Sequence, residues 1–391
     1  MKKSSRKYSF LVLYFISYMS FSFCMTKFTP YLSSLGYDAM YRGIIISGYA
    51  ITTIVFQLLF GFLSDHFQSV KKLIIVAVAG LGISSVLLFQ KGLGMFAAQL
   101  LLISLSGGLV NSLCGMYDTW VLGVDHEMQK SLSFIKAFGS VGWALGSVIA
   151  SQIILKFMYS GLGVSVLILA GLSICNVVFL PDIQSIERKD KIKLQDVLQL
   201  FHIPGYTLLV FVLFLMYAVV VANSCTVIDK MIALNATDFE ISLKFAFGSL
   251  LEIPTYLAGA YLLKKFKAIH LLHFSAAMMT IQFILFALAN NAGAMIFISL
   301  LQIFSTPIIL IASKMIILEI SPDYLRNSSQ LIALSIFMGV SSLMIPSIAG
   351  FFGVHVGFDI TLAGVAMLGV LSLILIFWLK HIFHKHNIMM E

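Results

Sequence analysis

Twelve apolar runs, each long enough to cross a lipid bilayer, recur along the chain near 8–28, 43–63, 73–90, 95–122, 132–156, 161–180, 206–228, 241–263, 271–290, 295–318, 329–351 and 360–380. A hydrocarbon core about 30 Å thick needs roughly 18 to 20 such residues in a helix. Lipid offers no partners to backbone N–H and C=O groups, so spanning segments must be helices or a closed barrel. The alternating strands of about ten residues that build a barrel are absent. The expectation is an all-α integral membrane protein with twelve transmembrane helices. With 60% hydrophobic and 11% charged residues, the composition excludes an ordinary water-soluble domain.

The start, MKKSSRKYSFLVLYFISYMSF, has a basic head and an apolar body too long for the core of a cleaved signal, so it reads as the first span. Lys2, Lys3, Arg6 and Lys7 should hold the N-terminus in the cytoplasm. An even number of spans then returns the C-terminus to the same side. Loops on that side carry Lys71, Lys72, Lys130, Arg188, Lys189, Lys191, Lys193, Lys264, Lys265, Lys267, Arg326, Lys380 and Lys385. The opposite side carries chiefly Arg42, Lys91, Lys156 and Lys230. The net charge of +8 is this asymmetry together with attraction to anionic headgroups, and it does not argue for nucleic acid. The expected location is the cell membrane, multi-pass, with both termini cytoplasmic.

Cys24, Cys114, Cys175 and Cys225 all fall in apolar spans and read as small buried hydrophobes. No CxxC, HExxH, GxSxG or phosphate-binding glycine loop occurs. Neither an enzyme nor a metal or cofactor is signalled; the expected partners are a small-molecule solute, a coupling proton and the bilayer.

The longest polar stretch, PDIQSIERKDKIKLQDVLQLFH at 181–202, divides the chain into six spans and six spans. Leu194, Val197, Leu198 and Phe201 are spaced to form the apolar face of a short helix on the cytoplasmic interface. The expected organisation is a six-helix bundle over 1–181, a linker over 182–204 and a second six-helix bundle over 205–391, which points to an internal repeat.

Within the fifth span, KAFGSVGWALGS at 136–147 places Lys136, Ser140, Trp143 and Ser147 in one stripe, while Gly139, Gly142 and Gly146 form a ridge that a neighbouring backbone can approach. The fourth span contributes NSLCGMYDTW, 111–120, including Asn111 and Asp118. Asp118 and Lys136 are equidistant from position 127 in the intervening turn, so an antiparallel pair sets them side by side. A matched carboxylate and ammonium is the less costly way to keep charge inside a membrane, and such groups default to functional candidates.

The loop after the second span, GFLSDHFQSVKKL at 61–73, resembles the signature loop of the major facilitator superfamily. Gly61 would permit close helix approach, Asp65 would cap or pair with a neighbouring helix end, and Lys71 and Lys72 would face the headgroups. Gln68, Ser69 and Val70 depart from the pattern, and the second-half counterpart, YLLKKFKAIHLL at 261–272, keeps only its basic character. FGSVGWAL with its upstream acid and base resembles the fourth and fifth spans of the lactose permease branch, the oligosaccharide and proton symporters. The resemblance implies that Asp118 and Lys136 grip sugar hydroxyls and that Trp143 lies against a pyranose ring. Ser140 and Asn111 join them as candidate ligands.

That branch has glutamate and arginine where this chain has Asp118 and Lys136, so a different polar solute fits as well. Its second-half proton relay is replaced here by Gln282, Gln302 and Ser305. Glu252, in the middle of the eighth span beside a helix-breaking Pro254, is the candidate proton carrier, with Asp229 a second. Asn223, Gln282 and Gln302 are candidate hydrogen-bond partners for a solute. Lys27 and Lys230 sit near the outer ends of their spans, where snorkelling is the simple account and, for Lys27, solute contact the functional one. The expected function is alternating-access transport of a sugar, oligosaccharide or similar polyhydroxylated solute, with protons. A drug or metabolite exporter of the same fold and a non-transporting sensor remain as alternatives.

Overall fold

The computed structural model describes residues 3–67, 69–90, 95–124, 126–182, 199–322 and 326–385, apart from the side chains at 3–5, 65, 126–127, 130, 260 and 326–328. The described residues form an all-α membrane protein. Ten segments are long and apolar enough to cross a bilayer: Arg6–Ser34, Ala39–Ser64, Val70–Leu88, Phe96–Val124, Ser131–Phe179, Tyr206–Ala233, Ala268–Leu288, Ala292–Ile320, Ser329–Val356 and Phe358–Lys385. Ser131–Phe179 contains two of the expected spans, because the helix kinks at Met158, whose φ is 59°. The remaining expected span lies in the helix Asp238–Lys265, which carries Lys244 and Glu252 in its middle. Numbered by their order in the chain, these are spans one to twelve, with span eight the Asp238–Lys265 helix. The expected interfacial helix of the linker falls largely on 183–198, outside the described residues.

The chain divides into two compact units. The first comprises Met1–Glu187 together with Asn235–Ile253; the second comprises Arg188–Leu234 and Pro254–Glu391. Span eight therefore contributes its first half to the first unit and its second half to the second. The helix itself continues through Pro254. The local break expected there is absent, since a proline removes a single backbone donor and neighbouring groups in a membrane bundle absorb the loss.

Inside the first unit, span one lies along span five. A Cβ on Gly142 would run into the backbone carbonyl of Phe15, and one on Gly146 would meet Ser22 Oγ and the backbone of Met19. Small residues allow this approach, and dispersion between the two backbones then holds the helices in a solvent that gives no hydrophobic drive. Hydroxyls add cross-ties: Ser17 Oγ lies 3.2 Å from Ser173 Oγ, and Ser84 Oγ 3.0 Å from Ser106 Oγ. Gly61, by contrast, has no atom of the described residues within 4 Å of the point where a side chain would begin, so among them its expected role in close packing is not realised. Cys24 and Cys225 are buried, but Cys175 is exposed on span six, contrary to the expectation for it.

The loop after span two is tied down differently from the expectation. Ser69 caps the helix Val70–Leu88, accepting from the Lys72 N–H at 3.2 Å, and donates to Asp182 Oδ2 at 2.5 Å. Lys71 Nζ, instead of turning to headgroups, donates to the carbonyls of Val178 and Leu180 at 2.6 and 2.9 Å. Those carbonyls end span six, where a cation satisfies orphan acceptors and the helix dipole together. Lys72 is exposed; the Asp65 side chain lies outside the described residues. Replacing Ser69 by alanine is expected to cost about 1 kcal/mol through loss of the cap, read as a lower melting temperature of the detergent-solubilised protein.

Among the described residues three spans are discontinuous. Span one breaks between Met25 and Phe28, span seven between Ser224 and Thr226, and span ten runs as a 3₁₀ turn over Leu300–Phe304 before restarting at Thr306. Span eleven holds a π-helical turn over Ser335–Val340. Broken helices at membrane depth survive where other protein groups or a polar cavity satisfy the freed backbone.

Candidate functional site

In the first unit, the carboxylate of Asp118 on span four is held from two sides. Lys136 Nζ of span five lies 2.6 Å from Oδ2, and the Tyr14 hydroxyl of span one donates to Oδ1 at 3.0 Å. The helix of span four ends at Val124 and that of span five begins at His126, within the stretch expected to be a turn, and the pairing sets the acid and base level. Tyr14 is fully buried, whereas the side chains of Asp118 and Lys136 are 29% and 46% exposed. The pair thus opens on one side and is backed by protein on the other.

Aromatic rings surround the phenol. Tyr14 stacks on Tyr18 at 5.5 Å between centroids, Tyr117 sits 5.7 Å from Tyr14, and Phe21 stacks on Tyr117 at 6.1 Å. Tyr117 Oη is itself within 3.0 Å of Ser17 Oγ. Tyr18 also packs over Gly139, so the glycine ridge places this cluster as well as joining the helices. Sequence reasoning misses Tyr14 and Tyr18: they lie in span one, and no local spacing links a tyrosine to a carboxylate 104 residues away.

The remaining stripe residues of span five divide. Trp143 is half-buried against the hydrophobic core of the first unit. The Ser140 carbonyl accepts from Ser249 Oγ at 2.9 Å, and Ser147 Oγ donates to the Ser242 carbonyl at 3.3 Å. The backbone at Ser140 and the hydroxyl of Ser147 therefore meet the first half of span eight. Asn111 is engaged with span two, donating from Nδ2 to Thr53 Oγ1 at 3.2 Å.

Lys27 does not snorkel. It is fully buried at the break in span one, and its ammonium donates to Ser242 Oγ at 2.9 Å and the Asp238 carbonyl at 3.1 Å, with Asp238 Oδ1 at 3.6 Å. A chain that breaks at this point turns the lysine inward, and a buried ammonium requires this full set of acceptors. Lys230 does likewise in the second unit. It follows the break in span seven and donates to the carbonyls of Phe286 and Ala287 at 2.7 and 2.9 Å, while its ammonium lies 2.7 Å from Asp359. It caps the C-terminal end of span nine instead of reaching for water. Asp229, next to it, is buried, and Glu252 is half-buried in the first unit near Pro254.

The second unit pairs two of its amides at the broken spans. Asn223 Nδ2, beside the break in span seven, donates to Oε1 of Gln302 in the 3₁₀ turn of span ten at 2.9 Å. Gln282 Nε2 of span nine reaches the Ile298 carbonyl at 3.4 Å, shortly before the turn begins. Ser305 stands where span ten restarts. Asn223 and Gln302 thus form a neutral hydrogen-bonded pair, with Gln282 buried separately against the Ile298 carbonyl. Among the described residues no group of three or more His, Cys, Asp or Glu is placed to hold a metal ion.

The sequence profile of the MFS_1 like family matches residues 8–352. The chain belongs to this family. It is a secondary transporter of the major facilitator superfamily, a group of transporters and not of enzymes. No curated protein sequence matches it. Among solved structures it is similar to a mutant form of the nucleoside transporter NupG, with a TM-score of 0.82, 14% identity, and 96% of this chain and 99% of that one covered. A D-xylose-proton symporter gives 0.76 at 13% identity, covering 95% and 97%. A POT family transporter in complex with a thioalcohol conjugated peptide gives 0.71 at 10% identity, covering 97% and 95%. Likeness at these identities establishes the major facilitator fold and leaves the solute of this member to its own residues.

Proposed function

We propose that this family member carries a sugar, oligosaccharide or similarly polyhydroxylated solute such as a nucleoside, coupled to protons, across the cell membrane with both termini in the cytoplasm. The observation that carries the reading is the half-exposed Asp118–Lys136 pair, 2.6 Å apart inside the membrane spans of the first unit. Fans of hydroxyls donate to a carboxylate and accept from an ammonium, and the C–H faces of sugar rings suit partly exposed aromatic rings such as Trp143 and Tyr18. The lysine in place of arginine gives a point charge without a planar fork, which favours single hydroxyl contacts over bidentate recognition of a carboxylate. The resemblance of span five to the lactose permease branch supports the same residues.

The side-chain amides of Asn223, Gln282 and Gln302 carry donors and acceptors without charge, which suits an uncharged polar solute. Nucleosides and D-xylose, the solutes for which two of the similar structures are named, are of this kind, although the peptide complex shows that the fold admits others.

The test is uptake of radiolabelled monosaccharides, disaccharides and nucleosides into vesicles containing the purified protein, with and without an imposed proton gradient. Gradient-stimulated accumulation of one solute is the expected result. Extrusion of apolar compounds with no uptake from the panel would replace this reading with that of an exporter, and binding without flux would replace it with that of a sensor.

A further inference from the structure

We propose that the second unit holds the headgroup of an anionic phospholipid where Lys267 and His270, at the start of span nine, meet Lys380, near the end of span twelve. Its binding does not depend on which solute the protein carries.

Spans nine and twelve run antiparallel in close contact. A Cβ on Gly369 would run into Thr280 Oγ1, and the His273 ring stands edge-on to Phe377 at 4.5 Å between centroids. One helical turn further in the same register, Lys380 comes level with His270. In keeping with that register, Lys380 lies near enough to act electrostatically on both His270 and His273, and Lys267 on His270. His270 and Lys267 are exposed, and Lys380 is half-buried.

Two lysines and two histidines thus converge from two spans. A basic bias that only orients the chain does not require them to meet, and positive charge gathered at one place costs free energy unless a counter-charge joins it. The described acids of this unit do not supply one. Asp229 and Asp359 stand at the opposite ends of spans seven and twelve, and Glu319, near the end of span ten, forms no ion pair with Lys267, His270 or Lys380. His273 Nδ1, shielded and without a partner among the described residues, adds an unmet polar atom at the same place.

The surroundings select a lipid over a soluble anion. Within about one turn toward the middle of each span, Phe274, Phe377 and Trp378 are 44%, 61% and 58% exposed. Exposed aromatic rings next to a ring of cations mark the headgroup boundary of a span. Acyl chains lie along such an apolar wall while ammonium and imidazole N–H groups donate to the phosphate oxygens.

The experiment uses the full chain, purified in detergent and stripped of lipid. Its melting temperature is followed as phosphatidylglycerol, phosphatidylcholine with the same acyl chains, or inorganic phosphate is added. A saturable rise with phosphatidylglycerol alone is the expected result. In the double variant Lys267→Gln, Lys380→Gln the concentration at half-effect is expected to rise about thirtyfold, about fivefold for each lysine beside an anionic headgroup. Lys72→Gln, which removes an exposed lysine of the first unit, is expected to respond like the wild type. Should the double variant not fold, Lys267→Gln decides alone, with the fivefold loss expected of it. A double variant that responds like the wild type, or an equal loss in Lys72→Gln, leaves only attraction to the net charge of +8 and overturns the proposal. An equal rise with phosphatidylcholine overturns it by assigning the effect to the acyl chains, an equal rise with inorganic phosphate by making the ligand a soluble anion, and no rise with phosphatidylglycerol overturns it outright.

Discussion

Replacement of Lys136 by glutamine is expected to reduce solute uptake about a hundredfold while the protein still inserts and purifies normally. A hundredfold loss corresponds to roughly 2.7 kcal/mol, in the range found when one partner of a hydrogen-bonded charge pair is removed at a binding site. The variant removes the ammonium that a solute hydroxyl would engage and leaves the Asp118 carboxylate with the Tyr14 hydroxyl as its donor. Because both side chains are partly exposed, water compensates in the empty protein and the stability cost is small. Uptake within a few-fold of wild type would remove Lys136 from the binding site.

Gly142→Val is expected to disrupt the first unit outright. No rotamer choice relieves the clash, since the obstacle to a Cβ at this position is the backbone of Phe15 and not a flexible side chain. Spans one and five would have to separate, which pulls Tyr14 and Tyr18 away from span four and span five together. Overpacking of a close contact ordinarily costs about 1 to 3 kcal/mol, and here the hydroxyl and aromatic contacts along the same interface are lost with it. The readout is loss of a monodisperse peak in size-exclusion chromatography, with no uptake from any protein recovered. Normal behaviour of the valine variant would mean that the ridge is not the contact that sets this spacing.

Much of this arrangement is legible in the residues alone, for identifiable reasons. The apolar runs mark the spans because lipid imposes one length and one backbone solution on all of them. Asp118 and Lys136 pair by their equal distances from the intervening turn, a relation that an antiparallel helix pair fixes without further information. The breaks are harder to read. Pro254 marks a position where the helix continues, whereas the real interruption of span ten lies at Leu300–Phe304. A signal exists there: Ser305, Thr306 and Pro307 have the form of a cap followed by proline in the first helical turn. The break at Cys225 carries no glycine or proline, and the one at Lys27 is marked by Pro30 in the first turn of the restarted helix, a signal of the same kind; read without it, two lysines near span ends look free to reach water. Tyr14 is invisible to sequence reasoning because its partner is tertiary.

The tie made by Lys27 has a consequence for how the molecule is assembled. The residues that satisfy this buried ammonium, Asp238 and Ser242, are synthesised only after span seven, although they belong to the first unit. A polypeptide ending at the linker would carry six spans and a lysine in hydrocarbon with its acceptors missing. The two six-span stretches are thus not interchangeable cassettes that can be made apart and mixed with other halves. During synthesis the first unit must wait, with one charge unsettled, for the ribosome to deliver the start of span eight.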